Sequence, residues 1–90
     1  MINNQIAKIF RLIAMHLEAQ GVEFKPRAYQ KAAQSLETLG KDAREIFEKG
    51  GLGALAEIPS IGKSLALKIK EYLETGQIAE YEKLKKELPV

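Results

Sequence analysis

The sequence predicts an all-α domain, a compact bundle of about five to six short helices, on three observations. Apolar residues recur at spacings of three and four along most of the chain, which places them on one face of successive helices. No segment alternates apolar and polar residues as a half-buried strand does. Glycine and proline fall between the periodic segments, where they mark helix ends and turns. The 90 residues fit one domain with a core of its own.

The first two helices are predicted over the first 40 residues or so. Asn3 or Asn4 is the expected N-cap of the first helix, and Gly21 is expected just past its end. Pro26 is expected at the first position of the second helix, where its missing N–H is not needed, and Gly40 follows that helix. The apolar face of the second helix carries three alanines (Ala28, Ala32 and Ala33), whose small side chains imply close approach of a neighbouring helix. The predicted apolar faces comprise Ile6, Ile9, Phe10, Ile13 and Leu17, and then Ala28, Tyr29, Ala32, Ala33 and Leu36.

The middle of the chain is predicted to hold a third helix and a short fourth one. Asp42 is expected to cap the third helix, with Glu45 three residues later completing a pair that resembles a capping box. Gly50 and Gly51 are expected to end it, because adjacent glycines favour a break in the helix. Residues 52–57 are then expected to form the fourth helix.

The last part of the chain is predicted to contain a turn and two further helices. The turn at residues 58–62 precedes a helix over 63–75, and Gly76 closes that helix. A last helix is predicted over 78–86, and residues 88–90 run on beyond it.

Composition excludes several kinds of site. There is no cysteine, and His16 is the only histidine, so the chain lacks the ligands for a cysteine-ligated metal site and almost all of those for a histidine-based one. His16 is expected to pack at the edge of its helix. No apolar run reaches the ~18 residues of a membrane span, and the first residues lack the layout of a secretory signal. A cytoplasmic, intracellular domain without membrane contact is expected.

Positive charge is concentrated in two segments, although the net charge is only +2. Residues 25–31 carry three basic residues and no acid, and residues 63–70 do the same, which gives each segment a local charge of +3. Local patches of this kind favour contacts with single phosphate groups. Ordinary solvated helix faces are the alternative interpretation.

Lys68 falls at the edge of the apolar face of helix 63–75. At 100° per residue it lies between Ser64 and Tyr72, whereas Leu65 and Ile69 share the buried face. Two interpretations stay open from this geometry. The stem packs while the ammonium reaches water, or the amine serves as a nucleophile that burial or neighbouring cations activate.

The turn at residues 58–62 opens into a helix that carries no acid before Glu71, an arrangement that suits an anion. The sequence Gly62-Lys63-Ser64 is not part of a P-loop, because Glu57 stands where the first glycine belongs and no strand precedes it. A plain turn between two helices is the alternative.

Three segments carry a resemblance to a known family. Residues 55–69 read LAEIPSIGKSLALKI and resemble a helix-hairpin-helix motif, at about 52–75, that binds the DNA backbone without reading bases. Residues 71–78 (EYLETGQI) and 24–33 (FKPRAYQKAA) resemble two segments of the amino-terminal lyase and DNA-binding domain of family X DNA polymerases. The resemblance covers nearly the whole chain and is closer to the prokaryotic members, so residues 1–90 are interpreted as one such domain from a longer polymerase.

The resemblance implies roles for particular residues. Lys68 matches the lysine that forms a Schiff base with C1′ of an abasic 5′-deoxyribose phosphate and leads to β-elimination. Lys25 matches a 5′-phosphate-binding lysine, and Tyr29 matches a tyrosine of the same pocket. Further DNA- or phosphate-binding positions are Lys31, Ser60, Gly62, Lys63 and Ser64. The main-chain carbonyls implied to hold a monovalent cation (Na⁺ or K⁺) shared with a DNA phosphate are those of Ala56, Ile58 and Ile61.

The chain also departs from the family pattern at several of these positions. Ser64 replaces a lysine, with Lys63 beside it, and Leu67 replaces a glutamate. Phe24 replaces a histidine, and Ser60 replaces the first glycine of the hairpin. A basic residue expected just before the hairpin is missing at residues 56 and 57. These departures reduce the phosphate-binding set and concern the lyase rate more than DNA binding.

The resemblance implies a monomeric domain that binds gapped, nicked or 5′-phosphorylated DNA within a DNA repair polymerase, with 5′-deoxyribose phosphate lyase activity as a further expectation. No cofactor other than the monovalent cation is expected in this domain, and Mg²⁺ is expected only in the polymerase portion of the longer chain. The alternative is a DNA-binding or protein-interaction module without catalysis, for which Leu67 is the one apolar hint.

Overall fold

Five α-helices and no strand make up the part of the chain that the computed structural model describes, residues 1–87. In chain order they are α1 (Ile2–Ala19), α2 (Lys25–Thr38), α3 (Ala43–Ala56), α4 (Lys63–Thr75) and α5 (Ala79–Glu87). The predicted all-α class is confirmed. Residues 88–90, for which the sequence predicts only a run-on, lie outside the described residues. Over residues 1–87, no helix is both long and apolar enough to span a bilayer.

The pairing of α1 with α2 provides more than half of the buried core. The rings of Phe10 and Tyr29 meet edge to face, with centroids 5.3 Å apart and planes at 77°. Ala32 and Ala33 are fully buried, so their small side chains allow α2 to approach α1 closely, as predicted. Ala28 was expected on the same face but is exposed, because this position of α2 lies at a surface cavity beside α4.

Asn3 has a structural role that differs from the predicted cap. Helix α1 begins with Met1 as its N-cap, and no side chain bonds to the amides of its first turn. Asn3 is fully buried, and its Nδ2 donates to the carbonyls of Leu36 at 3.2 Å and Lys41 at 2.6 Å. Its Oδ1 accepts from the amide of Ala43 at 2.8 Å. The cap prediction is wrong because these three backbone groups of the α2–α3 connection satisfy the Asn3 amide instead.

Local signals place the starts of α2 and α3 to within one residue. Helix α2 begins at Lys25, so Pro26 occupies its second position rather than its first. Asp42 caps α3 as predicted and accepts at 2.7 Å from the amide of Arg44. Within residues 1–87, neither bond of the expected capping box forms, because Asp42 accepts from the amide of Arg44 and not from that of Glu45, and the Glu45 side chain makes no return bond to the cap.

The predicted break between a third and a fourth helix lies inside α3. Gly51 has φ 67° and ψ −160°, which is not helical, and it divides α3 into two helical segments. Glycine adopts this backbone readily, whereas a side chain would be strained there. The predicted short helix over residues 52–57 corresponds to the second segment of α3.

Helices α3 and α4 pack against each other across the turn at residues 57–62. Ile58 and Ile61 are buried, and the amide of Ile61 donates to the carbonyl of Ile58 at 2.9 Å. Helix α4 has the predicted bounds and is followed by Gly76 in the left-handed conformation at φ 79°. The two isoleucines hold the turn on the core, while Ser60 at its tip is exposed.

Candidate nucleic-acid interface

The first turn of α4 presents unpaired backbone amides at the hairpin. Gly62 is the N-cap without a side-chain cap, and the first turn contains no acidic residue. The amides of Lys63 and Ser64 donate to no acceptor within residues 1–87, and both residues are exposed. Unpaired amides at the positive end of a helix attract anions. This end of α4 therefore has the properties of a phosphate contact.

The folded chain does not itself require glycine at position 62. Gly62 has φ −90° and ψ −170°, an extended backbone that any residue adopts. A Cβ atom added there would meet no atom within 4 Å. The missing side chain instead leaves open space in front of the α4 amides.

Several predicted site residues surround one cavity beside α4. Its volume is about 240 Å³, which suits a phosphate or a sugar phosphate rather than a base pair. Lys25 and Tyr29 reach it from α2, and Ser64 and Lys68 reach it from α4. We call it the lysine pocket. Its complete lining is Lys25, Ala28, Tyr29, Ser64, Leu65, Lys68 and Glu80.

Glu80 of α5 connects the two central side chains of the lysine pocket. The Nζ atom of Lys68 lies 2.7 Å from Oε2 of Glu80, and the Tyr29 hydroxyl donates to the same oxygen at 2.9 Å. The side chains of Lys68 and Glu80 are 24% and 27% exposed, so the pair lies at the boundary between core and solvent. The boundary position predicted for Lys68 is therefore observed, with an ion-pair partner that the sequence had not indicated.

The contacts of Glu80 change the protonation of two groups. Partial burial opposes ionisation of Glu80, but hydrogen bonds from Lys68 and Tyr29 and the charge of Lys25 outweigh it and lower the pKa of Glu80. Burial, together with the nearby Glu80 carboxylate, raises the pKa of the Tyr29 hydroxyl well above its usual value. Near neutral pH, Glu80 is therefore a carboxylate and Tyr29 a neutral donor.

The remaining predicted residues lie around the lysine pocket without lining it. Lys31 and Ser60 line a neighbouring cavity of about 400 Å³, which shares Ala28 with the lysine pocket. Lys63 is exposed at the start of α4. Tyr72, expected beside Lys68, instead donates its hydroxyl to Oε1 of Gln5 at 3.1 Å. The structure thus brings Lys25, Tyr29, Ser64 and Lys68 together and leaves the other predicted residues at the rim or at the hairpin.

Phe24 is an exposed aromatic residue that the sequence marked only as a departure from the family pattern. It is 85% exposed and has φ 67° and ψ −47°. The amide of Lys25 donates to the carbonyl of Glu23 at 2.7 Å, which closes a γ-turn of the rare, strained kind around Phe24. Together with Arg27 and Lys31, the ring lines the neighbouring cavity, so it extends the basic surface with an apolar face.

The three carbonyls predicted to hold a monovalent cation differ in availability. The carbonyl of Ile58 accepts the Ile61 amide, whereas those of Ala56 and Ile61 accept no hydrogen bond from residues 1–87. Neutral carbonyl oxygens are the ligands that replace the hydration shell of such cations, so this donor set fits the ion. In the described part of the chain, no group of three or more acidic or histidine side chains is placed to hold a metal.

Comparison with known proteins agrees with this fold and this hairpin. The model of a family described as a helix-hairpin-helix domain matches residues 1–78. The chain is also 34% identical over 90 residues to the DNA polymerase/3′-5′ exonuclease PolX of Bacillus subtilis (strain 168). That match covers 99% of this chain but only 15% of the relative's length.

The chain belongs to the helix-hairpin-helix domains. The resemblance to the amino-terminal domain of family X DNA polymerases is confirmed within that class. This membership supports DNA binding, whereas the roles of individual residues stay predictions.

Proposed function

We propose that the domain binds DNA without reading sequence, at gaps and nicks that carry a 5′-phosphate, as part of a DNA repair polymerase. The observation that carries the proposal is the lysine pocket, where Lys25, Tyr29, Ser64 and Lys68 converge from two helices. Two lysines and one glutamate leave this pocket with a net charge of about +1, which favours an anion.

The hairpin would bind the DNA backbone beside the pocket. The unpaired amides at the start of α4 and the charge of Lys63 suit one phosphate, and the open space at Gly62 permits close approach. The free carbonyls of Ala56 and Ile61 would hold a monovalent cation that neutralises part of that phosphate's charge. Contacts of this kind fix position and carry no base readout.

The lysine pocket would receive the 5′ end of the downstream strand. Lys25 would contact the 5′-phosphate, and Lys68 would form the Schiff base if that end carries an abasic deoxyribose. The neutral amine adds to C1′, water leaves, and the imine promotes loss of the C2′ proton. The C3′–O bond then breaks, and the downstream strand leaves with the phosphate on that oxygen as its new 5′-phosphate. Hydrolysis of the imine releases the unsaturated sugar with the original 5′-phosphate and frees the lysine.

A binding experiment tests the first part of this proposal. Fluorescence anisotropy should show tighter binding to gapped DNA with a 5′-phosphate than to the same DNA without it or to intact duplex. The double variant Lys25→Ala/Lys63→Ala should lose most of this preference. Lys8→Ala/Lys49→Ala removes the same charge from positions outside the lysine pocket and the hairpin and should keep it. With roughly two to four phosphate contacts, the log–log salt slope should be about −2 to −4. Equal affinity for all three DNAs contradicts the proposal.

A trapping experiment tests the lyase part separately. Borohydride should reduce a covalent adduct between the domain and DNA that carries a 5′-deoxyribose phosphate. Lys68→Ala should abolish the adduct, and Lys70→Ala, two residues along α4 and outside the lysine pocket, should retain it. An undiminished adduct in Lys68→Ala refutes the assignment of Lys68.

A DNA-binding module without catalysis is the second candidate, and one observation favours it. Lys68 is paired with Glu80 at 2.7 Å, and a paired ammonium is not a nucleophile. Binding of 5′-phosphorylated DNA with no trapped adduct between pH 6 and 10 would identify this second function.

The rest of a polymerase chain would supply what this domain lacks. The Mg²⁺ of nucleotide transfer would belong to that portion, and the domain would act as a monomer tethered to it. Joining the domain to its polymerase portion should raise the affinity for gapped DNA through effective concentration. Sedimentation of the isolated domain tests whether it is a monomer in solution.

A further inference from the structure

The ion pair in the lysine pocket bears directly on the chemistry proposed for Lys68. Oε2 of Glu80 lies 2.7 Å from Nζ of Lys68 and also accepts the Tyr29 hydroxyl at 2.9 Å. An amine attacks a carbonyl carbon only as the free base, because the ammonium has no lone pair to donate. A carboxylate at this distance stabilises the ammonium.

We propose that Glu80 holds Lys68 in its ammonium form and so limits the attack of its amine on a phosphate-bearing aldehyde near neutral pH. The inference rests on the proposed lyase function for its relevance to DNA, but its chemistry is observable without DNA. Glu80 is a positioning residue in this proposal, because it acts through Lys68 and not on the aldehyde.

Glu80 acts here as a counter-ion and not as a base. Hydrogen bonds from Lys68 and Tyr29 outweigh its partial burial and keep its pKa below the ordinary value for a carboxyl group, so it is a poor proton acceptor. Proton transfer from an ammonium group to such a carboxylate is strongly unfavourable. The amine must therefore lose its proton to solvent, which the ion pair disfavours.

The other charged groups around the pair do not cancel this effect. Lys25 of α2 lines the same cavity and opposes the ammonium, but Glu80 is the one carboxylate in the described lining. On α5, Lys83 and Glu87 lie with Glu80 around a second cavity and offset each other in charge. The Tyr29 bond and the burial of Ile78 and Leu84 on either side restrict the position of Glu80.

The test measures how fast Lys68 reacts with pyridoxal 5′-phosphate, an aldehyde that carries a phosphate. The adduct is reduced with borohydride and measured at Lys68 by peptide mass spectrometry between pH 6 and 10. At pH 7, Glu80→Gln should react about 3- to 10-fold faster than the unaltered domain, because the variant lacks the carboxylate that stabilises the ammonium form. The difference between the two profiles should shrink as the pH rises toward the ordinary lysine value of about 10.4, because an uncharged amine forms no ion pair.

Glu82→Gln is the matched control. Glu82 lies on the same helix, pairs with Lys85 at 3.2 Å and does not line the lysine pocket. The same loss of one negative charge there should leave the Lys68 profile unchanged. Equal profiles for Glu80→Gln and the unaltered domain overturn the proposal, and so does slower reaction of Glu80→Gln at every pH.

A second variant keeps the test decisive if Glu80→Gln melts below the assay temperature. Glu80→Asp keeps the charge but shortens the side chain by one methylene group, which lengthens the ion pair. Its profile should shift in the same direction by a smaller amount. No shift in a folded Glu80→Asp overturns the proposal.

Abasic DNA separates this inference from the proposed function. If Glu80→Gln reacts faster with pyridoxal 5′-phosphate but neither protein forms an adduct with 5′-deoxyribose phosphate DNA, the inference stands and the lyase proposal fails. If the unaltered domain forms a Lys68 adduct with that DNA and Glu80→Gln leaves the pyridoxal profile unchanged, the lyase stands and the inference fails.

Discussion

Replacement of Ser60 by glycine should stabilise the domain. Ser60 has φ 66°, in the left-handed region that disfavours any residue with a Cβ atom. That conformation costs an L-residue about 1–2 kcal/mol, and glycine adopts it without this cost. Glycine also gives the unfolded chain more freedom, which offsets about 0.4–1 kcal/mol. The difference between these two ranges is about 0–1.6 kcal/mol, and we expect a net gain near its middle, about 0.5–1 kcal/mol.

Thermal and urea denaturation followed by circular dichroism measure this gain. For a domain of this size, about 1 kcal/mol corresponds to 4–8 °C, so the Tm of Ser60→Gly should rise by about 2–8 °C. The urea midpoint should rise with an unchanged slope.

Two control variants separate backbone strain from the loss of the hydroxyl group. Ser35→Gly makes the same change inside α2 and should instead cost about 0.5 kcal/mol. Ser60→Ala keeps the Cβ atom and should bring no gain. A Tm for Ser60→Gly at or below that of the unaltered domain refutes the strain argument.

Three further predictions concern Asn3, Gly62 and Glu80. Asn3→Ala leaves three backbone groups of the α2–α3 connection without their partner and should lower the free energy of unfolding by about 2–4 kcal/mol in urea denaturation. The control Asn4→Ala changes an exposed residue and should stay within about 0.5 kcal/mol of the unaltered domain. Equal losses in the two variants would contradict the role of Asn3. Gly62→Ala should keep the Tm, because nothing lies within 4 Å of its Cβ, but should weaken binding of nicked DNA in anisotropy; unchanged affinity would argue against a phosphate at this site. The folded-state pKa of Glu80 lies below its usual 4.5, so its contribution to stability is present above about pH 4.5 and is lost as the pH falls through the folded-state pKa. Glu80→Gln should therefore lose less stability than the unaltered domain between pH 5 and 3 in urea titrations. An equal loss of stability in both proteins over this pH range would contradict the prediction.

Features that depend on a few neighbouring residues were predictable from the sequence. The bounds of α4, the Asp42 cap and the break at Gly51 follow from the conformational preferences of single residues and of their neighbours. The edge position of Lys68 follows from helical periodicity alone, because the apolar face of α4 is well defined.

Features that depend on distant parts of the chain were not predictable in the same way. The role of Asn3 requires carbonyls and an amide that lie 33 to 40 residues away. The partner of Lys68 lies on the next helix, in a segment whose lysines and glutamates gave no reason to select Glu80. Ala28 fits the apolar pattern of α2, and only the position of α4 shows that it lies at a cavity.

The two residues at the tip of the hairpin are the reverse of what folding alone would select. Position 60 has a left-handed backbone that favours glycine but holds serine, and position 62 has an ordinary backbone with free space but holds glycine. A residue that lowers stability is retained where another requirement outweighs it. Ser60 lines the cavity beside the lysine pocket, where the proposed DNA contact would bring a phosphate oxygen to its hydroxyl, and Gly62 leaves the α4 amides uncovered. Ser60→Gly should therefore gain stability and lose DNA affinity, and a variant that gains both would remove the ligand-based explanation for this serine.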